Sequence, residues 1–394
     1  MTGDSQYAVK RNIRDYSLFK TAKSLMNELD LELTERCNNA CVHCCINLPE
    51  HDAEAKAREL STEEWKRILK EAADLGAMSV RFTGGEPLLR EDFTELYLYA
   101  RRLGLRVLLF TNARLITPEL ADLFVRVPPR DLIEITVYGM HPESYDSVSC
   151  STGAFLEFRQ GVEELIKRNV PFIVKGALLP QNKGETEELA EWAKTIPWMR
   201  GNQPSYSLYF DLRNRRDSPA KNRLISRLRV SPEEGLKFFT YDPVAYRKEM
   251  TQFCQRFMSV PGDRLFTCGL GHGGCVDAYG KFQVCMGVRN PELSYDLRQG
   301  SLKDALLNFF PKVIEMKSVN PTYLARCGRC FLHGLCEQCP GKSWSENGEL
   351  DTPVEYLCEV AHAQARYMGL LAEGEHAWEV RDGKERVAKM SLNS

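Results

Sequence analysis

Six short apolar runs separated by amphipathic stretches occupy the first half of this chain, and that alternation constrains its fold more than any other feature. LDLELT, MSVRFTGG, LRVLLFTN, DLIEITVYG, VPFIVKGALL and SYSLYFDLR read as strands, the last over residues 205–213. Between them STEEWKRILKEAADLG, ELADLFVRV, FRQGVEELIKR and ETEELAEWAKTI read as helices. The first of these opens with Ser61 and has Glu64 three places on, a capping box, and stops at Gly76. Repeated strand-helix units build a parallel sheet, and six of them make a partial (β/α)6 barrel resembling the eight-unit TIM form. In such architectures the reactive groups gather at the C-terminal ends of the strands.

Beyond about residue 260 the periodicity fails, and Gly, Cys and short turns take over, as where metal ligation replaces an apolar core. The fold class expected is therefore α/β, a partial barrel followed by a small cysteine-rich, cluster-binding domain. The expected organisation is an N-terminal extension (1–30), the barrel (31–235), a connector (236–267), the cysteine domain (268–372) and a polar, frayed tail (373–394). A helix should begin at Ser231-Pro232 and another should span EYLCEVAHAQARYMGLLA.

The 394 residues carry 52 Lys+Arg against 54 Asp+Glu, a net charge of -2, so no broad attraction to nucleic acid or anionic membrane is implied. No apolar run approaches the roughly 20 residues of a membrane span, and the first residues lack the apolar stretch of a secretory signal. A cytoplasmic protein is expected. In that reducing compartment the 14 cysteines point to metal ligation or catalysis rather than disulfides.

Cys37, Cys41 and Cys44 have the spacing C-x3-C-x2-C directly after the first strand. Three close thiolates hold one face of an iron-sulfur cluster and leave one iron open; a zinc site with His43 or Cys45 as fourth ligand is the competing reading. Here the sequence resembles the radical S-adenosylmethionine (radical SAM) family, with His43 in the aromatic position of its C-x3-C-x-aromatic-C signature. The resemblance implies a 4Fe-4S cluster on the triplet, chelated at its open iron by S-adenosylmethionine. It also implies cofactor contacts from the TGGEP segment. Gly84 and Gly85 would admit the methionine moiety and Glu86 would accept from its ammonium. Thr111-Asn112 and Thr136 supply small polar groups at strand ends. Lys175 interrupts an apolar strand, where it either faces the lumen and the cofactor carboxylate or snorkels to water. Asp211, alternating with Tyr209 and Ser207 on the sixth strand, is a candidate proton acceptor, though an ordinary salt bridge explains it equally well.

Cys268, Cys275 and Cys285, then Cys327, Cys330, Cys336, Cys339 and Cys358, resemble the SPASM extension of some radical SAM enzymes. Gly280 with Cys285 fits its G-x4-C element; the gap of two residues between Cys336 and Cys339 departs from its usual three. The resemblance implies two auxiliary 4Fe-4S clusters, one on Cys268, Cys275, Cys285 and Cys339, the other on Cys327, Cys330, Cys336 and Cys358. Zinc knuckles are the alternative that the spacing alone allows. Cys45, Cys150 and Cys254 read as buried small hydrophobes, with Cys45 also a spare ligand, and His272 and His333 as loop-shaping residues.

By the same resemblance, the expected activity is reductive cleavage of S-adenosylmethionine to a 5'-deoxyadenosyl radical, followed by oxidative modification of a peptide or protein. The alternatives are a small molecule or cofactor precursor as substrate, or a non-catalytic electron carrier or zinc scaffold. An electron donor such as flavodoxin or ferredoxin is implied. Only 36 residues precede Cys37, so no fused leader-recognition module is expected. Recognition falls to a separate protein or to Arg213, Arg215, Arg216, Arg223, Arg227 and Arg229, for which a solvated surface is the simpler reading.

Overall fold

A computed structural model describes residues 24–390, except 241, 259, 269–272 and 337–338. Most of the expected N-terminal extension, His272 and the last four residues lie outside the described residues.

All six expected strands form. They are β1 (Glu28–Thr34), β2 (Ser79–Gly84), β3 (Arg106–Thr111), β4 (Arg130–Val137), β5 (Phe172–Ala177) and β6 (Ser205–Ser207). Each pairs in parallel with the next, and helices α1 (Thr62–Asp74), α2 (Phe93–Arg102), α3 (Pro118–Arg126), α4 (Pro142–Ser149), α5 (Ala154–Lys167) and α6 (Thr186–Lys194) fall between them. The capping box at α1 is present: the Ser61 side chain accepts from the Glu64 N–H, and the Glu64 carboxylate accepts from the Ser61 N–H.

Three short strands missing from the sequence reading extend the sheet past β1. These are β7 (Cys275–Val276), β8 (Lys281–Gln283) and β9 (Tyr295–Asp296), giving the order β9-β8-β7-β1-β2-β3-β4-β5-β6. β7 lies parallel to β1, with Asp30 opposite Cys275, and the last three form an antiparallel meander. At two or three residues each, they are too short to give an alternation of their own.

The two faces of the sheet differ in chemistry. Leu29 and Leu31, Val80 and Phe82, Val107 and Leu109, Ile133 and Ile135, and Phe172 and Val174 are fully buried on one side. The alternate positions Asp30, Arg81, Phe110, Glu134 and Lys175 are only half-buried. A parallel sheet covered by helices on both faces reads as continuous apolar runs. Here charged residues alternate with aliphatic ones, so one face packs on helices and the other lines the concave interior of a partial barrel.

The chain divides into two compact units, the first made of residues up to Ser207 with 271–286 and 294–310, the second of 208–270, 287–293 and 311–394. The division thus falls at Ser207, not near residue 235. The sixth strand is correspondingly shorter than SYSLYFDLR. Past Ser207 the alternate residues Leu208, Phe210 and Leu212 are buried within the second unit, so the period of two serves packing there and no ladder.

That second unit is helical where it is regular. Helices Pro219–Leu228, Pro232–Phe239 and Pro243–Phe257 are capped by Ser218, Ser231 and Asp242, and Glu355–Met368 is the expected late helix. The tail is not frayed through residue 390. Ala377 is fully buried, Trp378 and Val387 pack on a core of Cys254, Phe331, Leu335 and Met368, and Gly383–Met390 is helical. Its polar composition hides four apolar residues, Ala377, Trp378, Val380 and Val387, that join this core. Among the described residues no helix is long and apolar enough to cross a membrane.

Candidate active site

The cysteine loop leaves β1 at its C-terminal end, over the charged face of the sheet. Arg36–Cys37 forms a two-residue strand with Leu48–Pro49, which closes the loop at its base. Beneath it lies a buried ion network: Arg36 Nε meets Glu59 at 2.8 Å, Arg90 meets the same carboxylate at 3.4 Å, and Arg90 also pairs with Asp92 at 2.7 Å. The far side is tied by Ala40 N–H and Val42 N–H donating to the carbonyls of Ser149 and Val148 at the end of α4, and by a turn from Cys44 N–H to Cys41 O. Arg114 donates to Asn38 O and Asn39 Oδ1 while pairing with Glu157.

The glycines of TGGEP explain how this loop lies so close to β2. A Cβ on Gly84 would stand 2.1 Å from Thr34 O, and Gly84 has φ of +126°. On Gly85 it would stand 2.2 Å from Arg36 O and 2.6 Å from Glu35 O. What requires these glycines is the chain's own backbone at the start of the cysteine loop, with Gly85 N–H and Glu86 N–H donating to Thr34 O and Arg36 O.

Glu86 is completely buried. Its Oε1 accepts from Leu88 N–H at 3.1 Å and Thr111 Oγ1 at 2.9 Å, and its Oε2 from Asn112 N–H at 2.8 Å. Burial pushes the carboxyl up to about 7 against these hydrogen bonds. Oε2 keeps acceptor capacity for an ammonium donor. Asn112 Nδ2 donates to Asn38 Oδ1 at 2.7 Å and lies 3.9 Å from Cys37 Sγ. The His43 ring stands 5.8 Å from that of Tyr138, a half-buried residue just past β4. Burial pushes the Cys37 thiol well up, and the nearby Glu86, Cys41 and Cys44 add to the shift. Three thiols, those of Cys37 and Cys44 half-buried and that of Cys41 buried, gather beside a buried carboxylate, a donor set whose negative charge the irons of a cluster would offset. The donor set fits a 4Fe-4S cluster held by Cys37, Cys41 and Cys44.

Residues 31–193 match the radical SAM superfamily. The chain carries a radical SAM domain. It is 26% identical over 339 residues to an AdoMet-dependent heme synthase of Methanosarcina barkeri, covering 81% of this chain and 92% of that protein. A PqqA peptide cyclase of Ruegeria pomeroyi is 33% identical over 162 residues, 41% of this chain and 42% of that one. Among solved structures, anSMEcpe with bound AdoMet and Cp18Cys peptide superimposes with a TM-score of 0.60 at 14% identity, covering 94% of this chain and 100% of that one. Streptococcus suis SuiB bound to precursor peptide SuiA gives 0.61 at 15%, covering 85% and 76%. At these identities the structural matches speak for the fold.

Sequence reasoning and geometry part at several residues. Lys175 lies on the half-buried face of β5, as one sequence reading had it, but its ammonium pairs with Glu134 of β4 and sits 4.0 Å over the Phe110 ring. Asp211 is not on the sixth strand; it lies beyond it and pairs with Lys342 at 3.2 Å. The arginines fare similarly: Arg213 is buried against Asp217, Arg216 donates to Trp344 O and Ser345 O, and Arg229 pairs with Glu346. Three of the six therefore serve the second unit's own structure. Thr136 lies on the half-buried face of β4. Cys254 is buried as expected, whereas Cys150 is exposed at the left-handed end of α4. Tyr138, Arg114 and Glu59 escaped the sequence reading because their partners lie 23 to 97 positions away, outside any local motif.

In the second unit Cys327, Cys330, Cys336 and Cys358 line one cavity, with Cys339 also on its wall. His333 lines it too, its ring between Thr267 Oγ1 at 3.3 Å and Tyr323 OH at 3.4 Å, which fits the loop-shaping role. Burial pushes the Cys327 thiol up to about 11 and Cys330 up to about 12. Cys275 and Cys285 belong to the first unit, Cys268 and Cys339 to the second.

Proposed function

We propose that this enzyme binds S-adenosylmethionine at the Cys37–Cys41–Cys44 cluster, cleaves it reductively, and oxidatively modifies a peptide or protein substrate. The observation that carries the reading is the pocket in which three cysteines, Glu86 and Asn112 converge at the C-terminal ends of β1, β2 and β3. When bound there, the reduced cluster supplies the electron that splits the sulfonium to methionine and a 5'-deoxyadenosyl radical. The chain's own residues do the positioning. Glu86 accepts from the methionine ammonium, Asn112 holds the loop through Asn38, and the glycines keep β2 against the cysteine strand. The concave face of the sheet, with Asp30 paired to Arg81 at 2.8 Å and Glu134 to Lys175, offers charges of both signs to a polar chain. Peptide-bound relatives of the same fold support this substrate class.

Two auxiliary 4Fe-4S clusters complete the proposal, one on Cys327, Cys330, Cys336 and Cys358, the other on Cys268, Cys275, Cys285 and Cys339. The cavity lined by the first four supports the former. Desolvation of the Cys327 and Cys330 thiols disfavours their thiolates until a metal centre offsets the charge. These sites would take the electron that a carbon-centred substrate radical gives up.

A small-molecule substrate is the second reading, favoured by the heme synthase relative, whose similarity runs through 81% of this chain. Anaerobic reconstitution and reduction should give 5'-deoxyadenosine from S-adenosylmethionine, dependent on Cys37, Cys41 and Cys44. Peptides encoded beside the gene, incubated in parallel with tetrapyrroles, then decide the substrate. Loss of two hydrogens from a peptide supports the first reading, and turnover of tetrapyrroles alone overturns it.

A further inference from the structure

Cys358 differs from an ordinary cluster ligand in what surrounds its sulfur. It sits on the helix Glu355–Met368, one turn before His362. Ala377 N–H donates to His362 Nε2 at 3.1 Å, so in the neutral ring the proton is on Nδ1. That N–H points to Cys358 O at 2.7 Å and lies 3.6 Å from Cys358 Sγ. A second donor approaches from another element: Arg326 Nη2 lies 3.8 Å from the same sulfur.

The guanidinium is held there from two sides. Glu355 accepts from Nη1 at 2.6 Å and from Nη2 at 2.9 Å, and the indole of Trp378 lies beneath it at 4.6 Å. Its Nε is buried and has no hydrogen-bond partner among the described residues. Arg326, His362 and Trp378 all line the cavity that holds Cys327, Cys330, Cys336 and Cys358. Trp378 comes from the tail, and its seat explains why that segment is ordered.

Hydrogen bonds and positive charge at a cluster's sulfurs stabilise its more negative, reduced form and raise its potential. We propose that Arg326 and His362 are tuning residues that poise the site of Cys327, Cys330, Cys336 and Cys358 to hold an added electron, making it the accepting end of the chain's electron path. The inference rests on the reading of these cysteines as a cluster site. Glu355 works against Arg326, since its carboxylate offsets the guanidinium charge, and so sets how far the potential rises.

The test is an EPR-monitored redox titration of the anaerobically reconstituted full chain, with Cys37, Cys41 and Cys44 replaced by Ala to silence the first cluster. Arg326→Gln should move one potential in the negative direction, changing the reduced-to-oxidised ratio at fixed potential by roughly tenfold, about 59 mV for a one-electron couple. His362→Phe should move the same signal in the same direction by less. Glu355→Gln should move it the other way, a reversal that loss of structure alone would not give. Unchanged potentials with unchanged iron content overturn the inference and leave the cluster reading intact. A parent protein without iron bound by these four cysteines sinks both. Should Arg326→Gln shed its iron, Glu355→Gln decides, and no positive shift in that variant overturns the tuning role.

Discussion

At Gly85 there is no room for a methyl group, because the carbonyls of Arg36 and Glu35 already occupy its place. Gly85→Ala should therefore cost about 1–3 kcal/mol of stability through overpacking, and it should push the cysteine loop off β2. The expected outcome is loss of the iron bound by Cys37, Cys41 and Cys44 with retained far-ultraviolet circular dichroism. Glu59 offers a second residue-level test. It compensates Arg36 and Arg90 in a nearly water-free setting, so Glu59→Ala leaves buried charge behind and should cost about 3–5 kcal/mol in urea unfolding. The sequence showed the glycines, since GGEP is a local signal. It did not show their purpose, because the atoms they avoid belong to residues about fifty positions earlier. Glu59 was invisible for the same reason: alone it reads as one more surface carboxylate.

Between neighbouring strands, Lys175 and Glu134 make a pair whose partners a period-of-two pattern cannot name. The pattern places each residue on a face, and the register between β4 and β5, with Thr136 opposite Lys175, puts Glu134 within reach. If this pair is what the ammonium serves, Lys175→Ala leaves affinity for S-adenosylmethionine unchanged. A double-mutant cycle with Glu134→Gln should then give a coupling of about 0.5–3 kcal/mol, whereas a large loss of affinity would restore the cofactor carboxylate as partner. In the tail, Arg386 and the Ala372 N–H hold the Glu375 carboxyl down at about 2 from its ordinary 4.5. A depressed carboxyl contributes its stability above the unfolded value and loses it as the pH falls through the folded one. Docking of residues 373–390 should accordingly hold above about pH 4.5 and weaken toward pH 2, read from Trp378 fluorescence. Glu375→Gln should lack that transition. The strands and helices with whole periods were legible in the sequence, and β7, β8, β9 and the tail helix were not, being too short or too polar to outweigh their surroundings.

Across the molecule, the order of the chain and the order of the sheet disagree. The strand beside β1 on its outer edge is β7, some 240 residues later in sequence, supplied after the chain has already entered the second unit. Composition taken from N- to C-terminus places a boundary near residue 235, whereas the compact units divide at Ser207. The consequence concerns what can stand alone. The stretch matching the radical SAM superfamily, residues 31–193, contains β1 but not the strand that covers its edge. A chain ending at Ser207 would present the N–H and C=O groups of Asp30 and Leu31 to solvent beside buried Leu29 and Leu31, the combination that invites edge-to-edge association. Such a truncation should associate in sedimentation at concentrations where the full chain does not. Placing residues 273–297 after it through a flexible linker should reverse the association, because that segment carries β7, β8 and β9. Failure of the graft, with the truncation itself monomeric, would mean that the six-strand sheet closes its own edge and that the later strands serve only to position Cys275 and Cys285.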